Sequence, residues 1–154
     1  MGIKMITSQV EFKEIQASWI RQFEEAILQA LWYAGEEGLN QARGVTKEEG
    51  SYKDRTGNLR SSIGYVVFAG NMEVLESGFL PTTTDDENNK DGVDGRLKGK
   101  EFLDEIKVKY GGGYQVIMVA GMEYAGYVEY NYDVLTSAEI VTRNSLEARL
   151  YALR

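Results

Sequence analysis

The chain predicts an α+β fold: a long N-terminal helix and a C-terminal helix packed on a mostly antiparallel sheet of about four or five strands. Three observations predict it. Apolar residues recur every three or four positions through the first part of the chain. Between Asp54 and Val67 (DRTGNLRSSIGYVV) the spacing switches to two, and helical spacing returns only towards the end. Residues 1–154 read as a single domain with a flexible loop insertion at about 81–100.

Ser8 and Glu11 have the spacing of a capping box, which marks a helix start. Phe12, Ile15, Trp19, Phe23, Ile27, Ala30, Leu31 and Ala34 then follow at steps of three or four. They predict a helix from Gln9 to about Arg43, roughly 50 Å at about 1.5 Å per residue. Gly35 and Gly38 are expected to kink or stop it. The aromatic stripe reads first as core, and the length beyond a small sheet's reach reads as a contact with a neighbouring subunit.

Residues 44–57 are polar and glycine-punctuated, hence an exposed loop in which Gly57 suits a positive φ. Arg55 and Arg60 make this helix-to-sheet hinge a basic edge. Alternation predicts strands at Ser62–Ala69 and Met72–Phe79, joined through Gly70-Asn71. The stretch PTTTDDENNKDGVDGRLKGK holds the only proline and no apolar period, so it reads as a solvated or partner-ordered loop. With Glu87 as position one, Asn89, Asp91 and Gly92 match an EF-hand loop. Position one lacks the expected Asp, however, and Lys98 stands where a bidentate Glu is needed. A second hairpin is predicted from Glu101–Tyr110 and Tyr114–Ala120. Its last strand is apolar on both faces and therefore read as central. A tyrosine-rich segment follows, and the Thr136/Glu139 capping box opens a helix from about Ser137 to about Ala152.

Composition narrows the function. Apolar content of 43% and charged content of 27% are those of a globular protein. With no histidine and no cysteine, the commonest general base and zinc ligand is missing, and so are thiolates and disulfides. A net charge of −7 argues against sequence-specific nucleic acid as a partner. No apolar run approaches the ~20 residues of a membrane helix, and no signal-peptide pattern opens the chain, so a soluble cytoplasmic protein with no membrane partner is expected. No catalytic residue, cofactor or metal is assigned. Two alternatives remain open: a carboxylate-dependent glycan hydrolase using Glu123 with Glu129 or Asp85 with Asp91, and a calcium-dependent binding module using the acidic loop.

The strings TGNLRSSI, from Thr56, and GMEYAGYVEY, from Gly121, resemble the paired signatures of the tailed-bacteriophage minor tail or tail-completion family, the small head–tail joining (neck) proteins. Thr56, Gly57, Leu59, Arg60, Ser62 and Ile63 match the first signature; Tyr124, Ala125, Tyr127, Val128 and Glu129 match the second. The family continues after its glutamate with aromatic-Gly-Thr and then a proline-rich approach to the last helix. This chain has Tyr130-Asn131-Tyr132 and no proline after Pro81. The resemblance implies a structural virion protein that acts by assembly: a homo-oligomeric ring docking to portal/adaptor or tail-tube proteins. Such a protein would be found in the virion, and in the bacterial host cytoplasm during assembly. Arg55, Arg60, Tyr124, Tyr127, Glu129, Tyr130 and Tyr132 are the candidate assembly residues. Tyrosines suit an interface because they bury large area with few rotors, or alternatively cap the sheet's core. Glu129 sits among apolar groups and needs a partner, for which Arg60 is the candidate.

Overall fold

The computed structural model describes residues 9–44, 52, 56–81, 92–109 and 112–153. Uninterrupted helical spacing carries α1 through Gln9–Gly44, 36 residues, which is roughly 54 Å. The short helix α2 (Asn58–Ser61) leads into β1 (Ile63–Ala69) and β2 (Met72–Glu76), then α3 (Gly95–Lys109), β3 (Tyr114–Ala120), α4 (Ala125–Tyr132) and α5 (Val134–Tyr151). The architecture is α+β, but the sheet has three antiparallel strands in the order β2-β1-β3, not four or five. Gly57 has the expected positive φ of 72°. The β1–β2 turn is two residues long, Gly70 at φ 65° supplying its first position. A bulge at Val74 of β2 interrupts the register between Val67 and Phe68.

Strand alternation decides the layers. Ile63, Tyr65 and Val67 of β1 pack with Leu31, Leu39 and Ala42 of α1 and Val134 and Ala138 of α5. Val66 and Phe68 pack on the opposite face with Leu103 of α3 and Val119 of β3. The sheet thus lies between the α1/α5 pair and α3. Arg43, at the end of α1, donates to the Ile63 and Gly78 carbonyls (2.5 and 2.9 Å) and ties the helix to the open end of the hairpin, opposite its turn. Lys107 ties α3 to β2, meeting Glu73 at 3.1 Å, Asp104 at 3.5 Å and Glu76 as well. Burial opposes its charge, but the hydrogen bonds it donates to Glu76 and Glu73 outweigh that and hold its pKa above the ordinary lysine value.

Glycine chemistry accounts for two departures from expectation. Gly35 and Gly38 neither kink nor stop α1. A Cβ at Gly35 would lie 2.7 Å from the Tyr65 ring, and one at Gly38 would lie 1.9 Å from Thr142 Oγ1 and 3.0 Å from the Ala138 carbonyl oxygen. These glycines let Tyr65 and α5 approach α1 closely. Residues 101–109 of the predicted strand are instead the body of α3, which begins inside the stretch read as a loop, and Tyr110 lies outside the described residues. Asp94 caps it by accepting from the Arg96 and Leu97 amides (3.0 and 3.4 Å). Gly95, Gly99 and Leu103 form its buried stripe. Ile106 and Val108 alternate with Lys107 and Lys109 as on a strand with one wet face, yet Val108 is 88% exposed on the helix.

β3 is an edge strand, not the central one. Its two apolar faces are explained by helical layers above and below, which demand the same pattern as a strand with two neighbours. The remainder of the acidic loop, including Asp85, Glu87, Asn89 and Asp91, lies outside the described residues, as does Ser8 of the first capping box.

Tyr65 joins these layers through a polar contact. Its ring is fully buried, and its hydroxyl donates to Glu36 Oε1 at 2.7 Å. Burial, and then the Glu36 carboxylate, push its phenol above the ordinary tyrosine range. Tyr65→Phe is expected to lower the unfolding free energy by about 1 kcal/mol. Urea titration should show this as an earlier midpoint with an unchanged slope.

Candidate functional site

The first seventeen or so residues of α1 form an arm, roughly 25 Å long, that the other described residues leave largely uncovered. Phe12, Ile15, Trp19, Ile20 and Phe23 are about half or more exposed, Trp19 reaching 71%. Ile27 and Leu28 are half-buried against the core, and full burial begins at Ala30 and Leu31. The stripe read first as core is therefore core in its second half and open surface in its first. At the arm's root a shallow groove of about 520 Å³ is lined by Trp19, Ile20, Phe23, Ile27 and Tyr114. An apolar patch of this extent marks an interaction surface.

A second apolar surface lies along the free edge of β3. Gly121 N–H donates to the Ser62 carbonyl (3.2 Å), and the Gly113 carbonyl accepts from Gly70 N–H (2.8 Å). Antiparallel alternation then turns the backbone polar groups of Tyr114, Val116, Met118 and Ala120 away from β1. Beside this edge lies a cleft of about 690 Å³ between α3, β3 and the α4–α5 corner, walled by Phe102, Ile106, Ile117, Met122, Val128 and Leu135. Phe102 and Met122 were not singled out by sequence reasoning, and Ile106 was read only as part of a strand. Asp94 followed by Gly95, Gly99 and Leu103 at helical spacing is the sequence signal that could have revealed α3, and hence this wall, in place of the predicted loop and strand.

Glu129 lies on the cleft rim, and within the subunit its hydrogen-bond partners belong to α5 rather than to Arg60, the candidate within one subunit or across the interface. Its carboxylate accepts from the Leu135 amide (2.6 Å), the Thr136 amide (2.9 Å) and the Thr136 hydroxyl (2.7 Å). A helix N-terminus offers several unpaired amides and a partial positive charge, so it satisfies a half-buried carboxylate more fully than one guanidinium would. Burial raises the pKa of Glu129, but the bonds from Thr136 and Leu135 overcome this and keep it below the ordinary glutamate value. The Thr136/Glu139 box does not open α5, because the Thr136 hydroxyl serves Glu129. The helix starts earlier, at Val134.

Arg60 is half-buried on α2, and Arg55 lies outside the described residues. Tyr124, Tyr127, Tyr130 and Tyr132 are exposed on and beside α4, Tyr130 at 88%, so they do not cap the sheet's core. Tyr132 also meets the buried Tyr52, ring centroids 6.4 Å apart.

The carboxylate chemistry of a glycan hydrolase finds little support at this cleft. A general acid needs a raised pKa, whereas Glu129 is held ionised and Glu123 is exposed at the rim. Asp85 and Asp91 lie outside the described residues. Among the described residues there is no cluster of acidic side chains suited to a metal ion, and no helix is long and apolar enough to cross a membrane.

The two motifs TGNLRSSI and GMEYAGYVEY meet in space. Ile63 pairs with Ala120 at the end of the β1–β3 ladder, and the next residues out, Ser62 and Gly121, share a hydrogen bond. Comparison of the chain with family models, curated proteins and solved structures finds no match in any of the three.

Proposed function

We propose that the chain is a structural virion protein of a tailed phage or prophage, acting in head–tail joining or tail completion. It works by self-assembly into a ring and by docking to portal/adaptor or tail-tube proteins. The observation that carries this reading is the α1 arm, which projects an apolar face that its own body leaves open. A helix that sheds no apolar surface onto its own fold is stable there only if something else covers it. The resemblance of the Thr56–Ile63 and Gly121–Tyr130 strings to the neck-protein signatures supports the phage assignment. The contact between the two strings supports treating them as one structural unit. The exposed tyrosines of α4 give the subunit a further interface-like surface.

Light scattering coupled to size exclusion is expected to give a concentration-dependent multimer, and negative-stain imaging is expected to show closed rings. Particles from the producing phage should contain the protein. A chain that stays monomeric at every concentration and never enters a particle would sink the reading.

A further inference from the structure

The apolar stripe of the arm has the spacing and the symmetry of a helix seam, and we propose that it pairs antiparallel with the arm of a second copy. The proposal rests on self-assembly as the protein's mode of action and names one contact that produces it.

Phe12 and Trp19 are seven residues apart, and so are Gln16 and Phe23. Together they step by four, three and four along one side of α1, the spacing of a two-helix seam. Ile15 and Ile20 flank that seam, one on each side. A straight helix drifts only ~20° per heptad from this repeat, which over so short an arm stays within the stripe. The seam is also symmetric about its midpoint, between Ala17 and Ser18. Laid antiparallel, Phe12 meets the partner's Phe23 and Gln16 meets the partner's Trp19, and each layer occurs twice. Gln16 is the one polar residue on the seam. Opposite an indole, its amide oxygen accepts the N–H that a buried tryptophan must satisfy.

Two features select the antiparallel arrangement. It carries the tip of each arm to the root of the other, where the groove lined by Ile20, Phe23, Ile27 and Tyr114 receives the partner's Phe12. Parallel pairing would leave that groove open. Charge agrees. Lys13 and Glu24 lie on the same flank of the stripe and are exposed, and neither has an ion-pair partner among the described residues. Antiparallel helices bring like flanks together, so Lys13 faces the partner's Glu24 and Glu24 faces the partner's Lys13. On the other flank Glu11 faces the partner's Gln22, while Glu14, Arg21 and Glu25 point away from the seam.

Both sides of this contact are the same stripe, so one count of area serves both copies. Phe12, Ile15, Trp19, Ile20 and Phe23, each about half or more exposed, leave on the order of 100 Å² open apiece, hence about 1,000 Å² for the pair, the lower bound of a specific interface. Association is therefore expected to depend on concentration. The contact is isologous and stops at two copies, so a ring needs a second, different contact to join such pairs.

Charge exchange tests this, because Lys13 and Glu24 lie about 16 Å apart along their own helix and cannot meet within one chain. In Lys13→Glu both symmetric contacts become repulsive, and sedimentation equilibrium at low salt should show self-association weakened about tenfold; Glu24→Lys should do the same. Mixed one to one, the two variants carry opposite charges at both contacts and should regain wild-type affinity. The double variant Lys13→Glu/Glu24→Lys should regain it alone. Trp19→Glu, or Phe23→Glu if the first misfolds, removes a seam anchor and should weaken association at least ~30-fold. All these side chains are exposed, so circular dichroism and the melting temperature serve as the folding check. Loss of association in Trp19→Glu without rescue by charge exchange would mean that the arms do not meet antiparallel, which overturns the proposal. Association undiminished in both Trp19→Glu and Phe23→Glu also overturns it, yet leaves self-assembly standing. A monomeric wild type overturns both.

Discussion

Gly121→Ala is expected to destabilise the protein by about 3 kcal/mol or more, at the upper end of overpacking losses. The new Cβ would lie 2.3 Å from the Lys98 carbonyl oxygen, 2.5 Å from Gly99 Cα and 2.6 Å from Gly99 N. All three are backbone atoms, and none can swing aside as a side chain would. Gly99 cannot yield either, because its own Cβ position is 2.5 Å from the Ser62 carbonyl oxygen. The start of α3, the exit from β3 and the α2–β1 junction are therefore stacked through glycines. Relief requires moving α3 as a whole, which would open the Leu103–Val66–Phe68–Val119 cluster. For a chain of this size ~3 kcal/mol corresponds to a fall in melting temperature on the order of 10 °C. Gly126→Ala is the matched control. A Cβ there meets nothing within 4 Å, and an added helix former within α4 should be neutral or stabilise by up to ~1 kcal/mol. Scanning calorimetry of both variants reads the difference. A Gly121→Ala midpoint equal to wild type would mean that α3 does not pack on the sheet as described.

The same glycines show where the sequence was legible. α1 and β1 carry clean periods, 3.6 and 2, over stretches long enough to outvote local exceptions, and both stand close to where they were expected. α3 is short, glycine-containing and charged, and its buried face consists of Gly95, Gly99 and Leu103. In a sequence, a glycine that enables close packing looks the same as one that breaks a helix; only the partner backbone distinguishes them. The apolar character of β3 was read correctly and its position was not, because helices covering both faces of an edge strand impose the pattern of a central one. The arm's stripe was visible residue by residue. The point at which it leaves the body depends on how far the sheet and α5 reach, which periodicity does not encode. The cleft was hidden for a related reason. It joins Phe102 on an unrecognised helix to Met122 and Leu135, residues brought together only by the fold.

Glu129→Gln is expected to cost about 1–2 kcal/mol at neutral pH, and the cost should disappear in acid. The carboxylate receives two amides and one hydroxyl at the start of α5, bonds that are stronger to a charged acceptor than to a neutral one. Partial exposure of the group to solvent screens it, which places the loss towards the lower end of that range. The direction with pH follows from its depressed pKa. Stability supplied by a carboxylate of this kind is fully present above its unfolded value, near 4.5, and is lost as pH falls through the lower folded value. Wild type and Glu129→Gln should therefore differ by a constant amount from about pH 6 to 8 and converge below about pH 4.5. Thermal melts across that range check the sign; a gap that widens in acid would mean the carboxylate is not held by its charge. Arg60→Ala should add independently to Glu129→Gln, since the two groups do not share a bond. Glu129 bridges the left-handed Asp133 corner (φ 49°) between α4 and α5, and that corner carries Val128 and Leu135 into the cleft wall, so the lost stability is expected to be local to this corner.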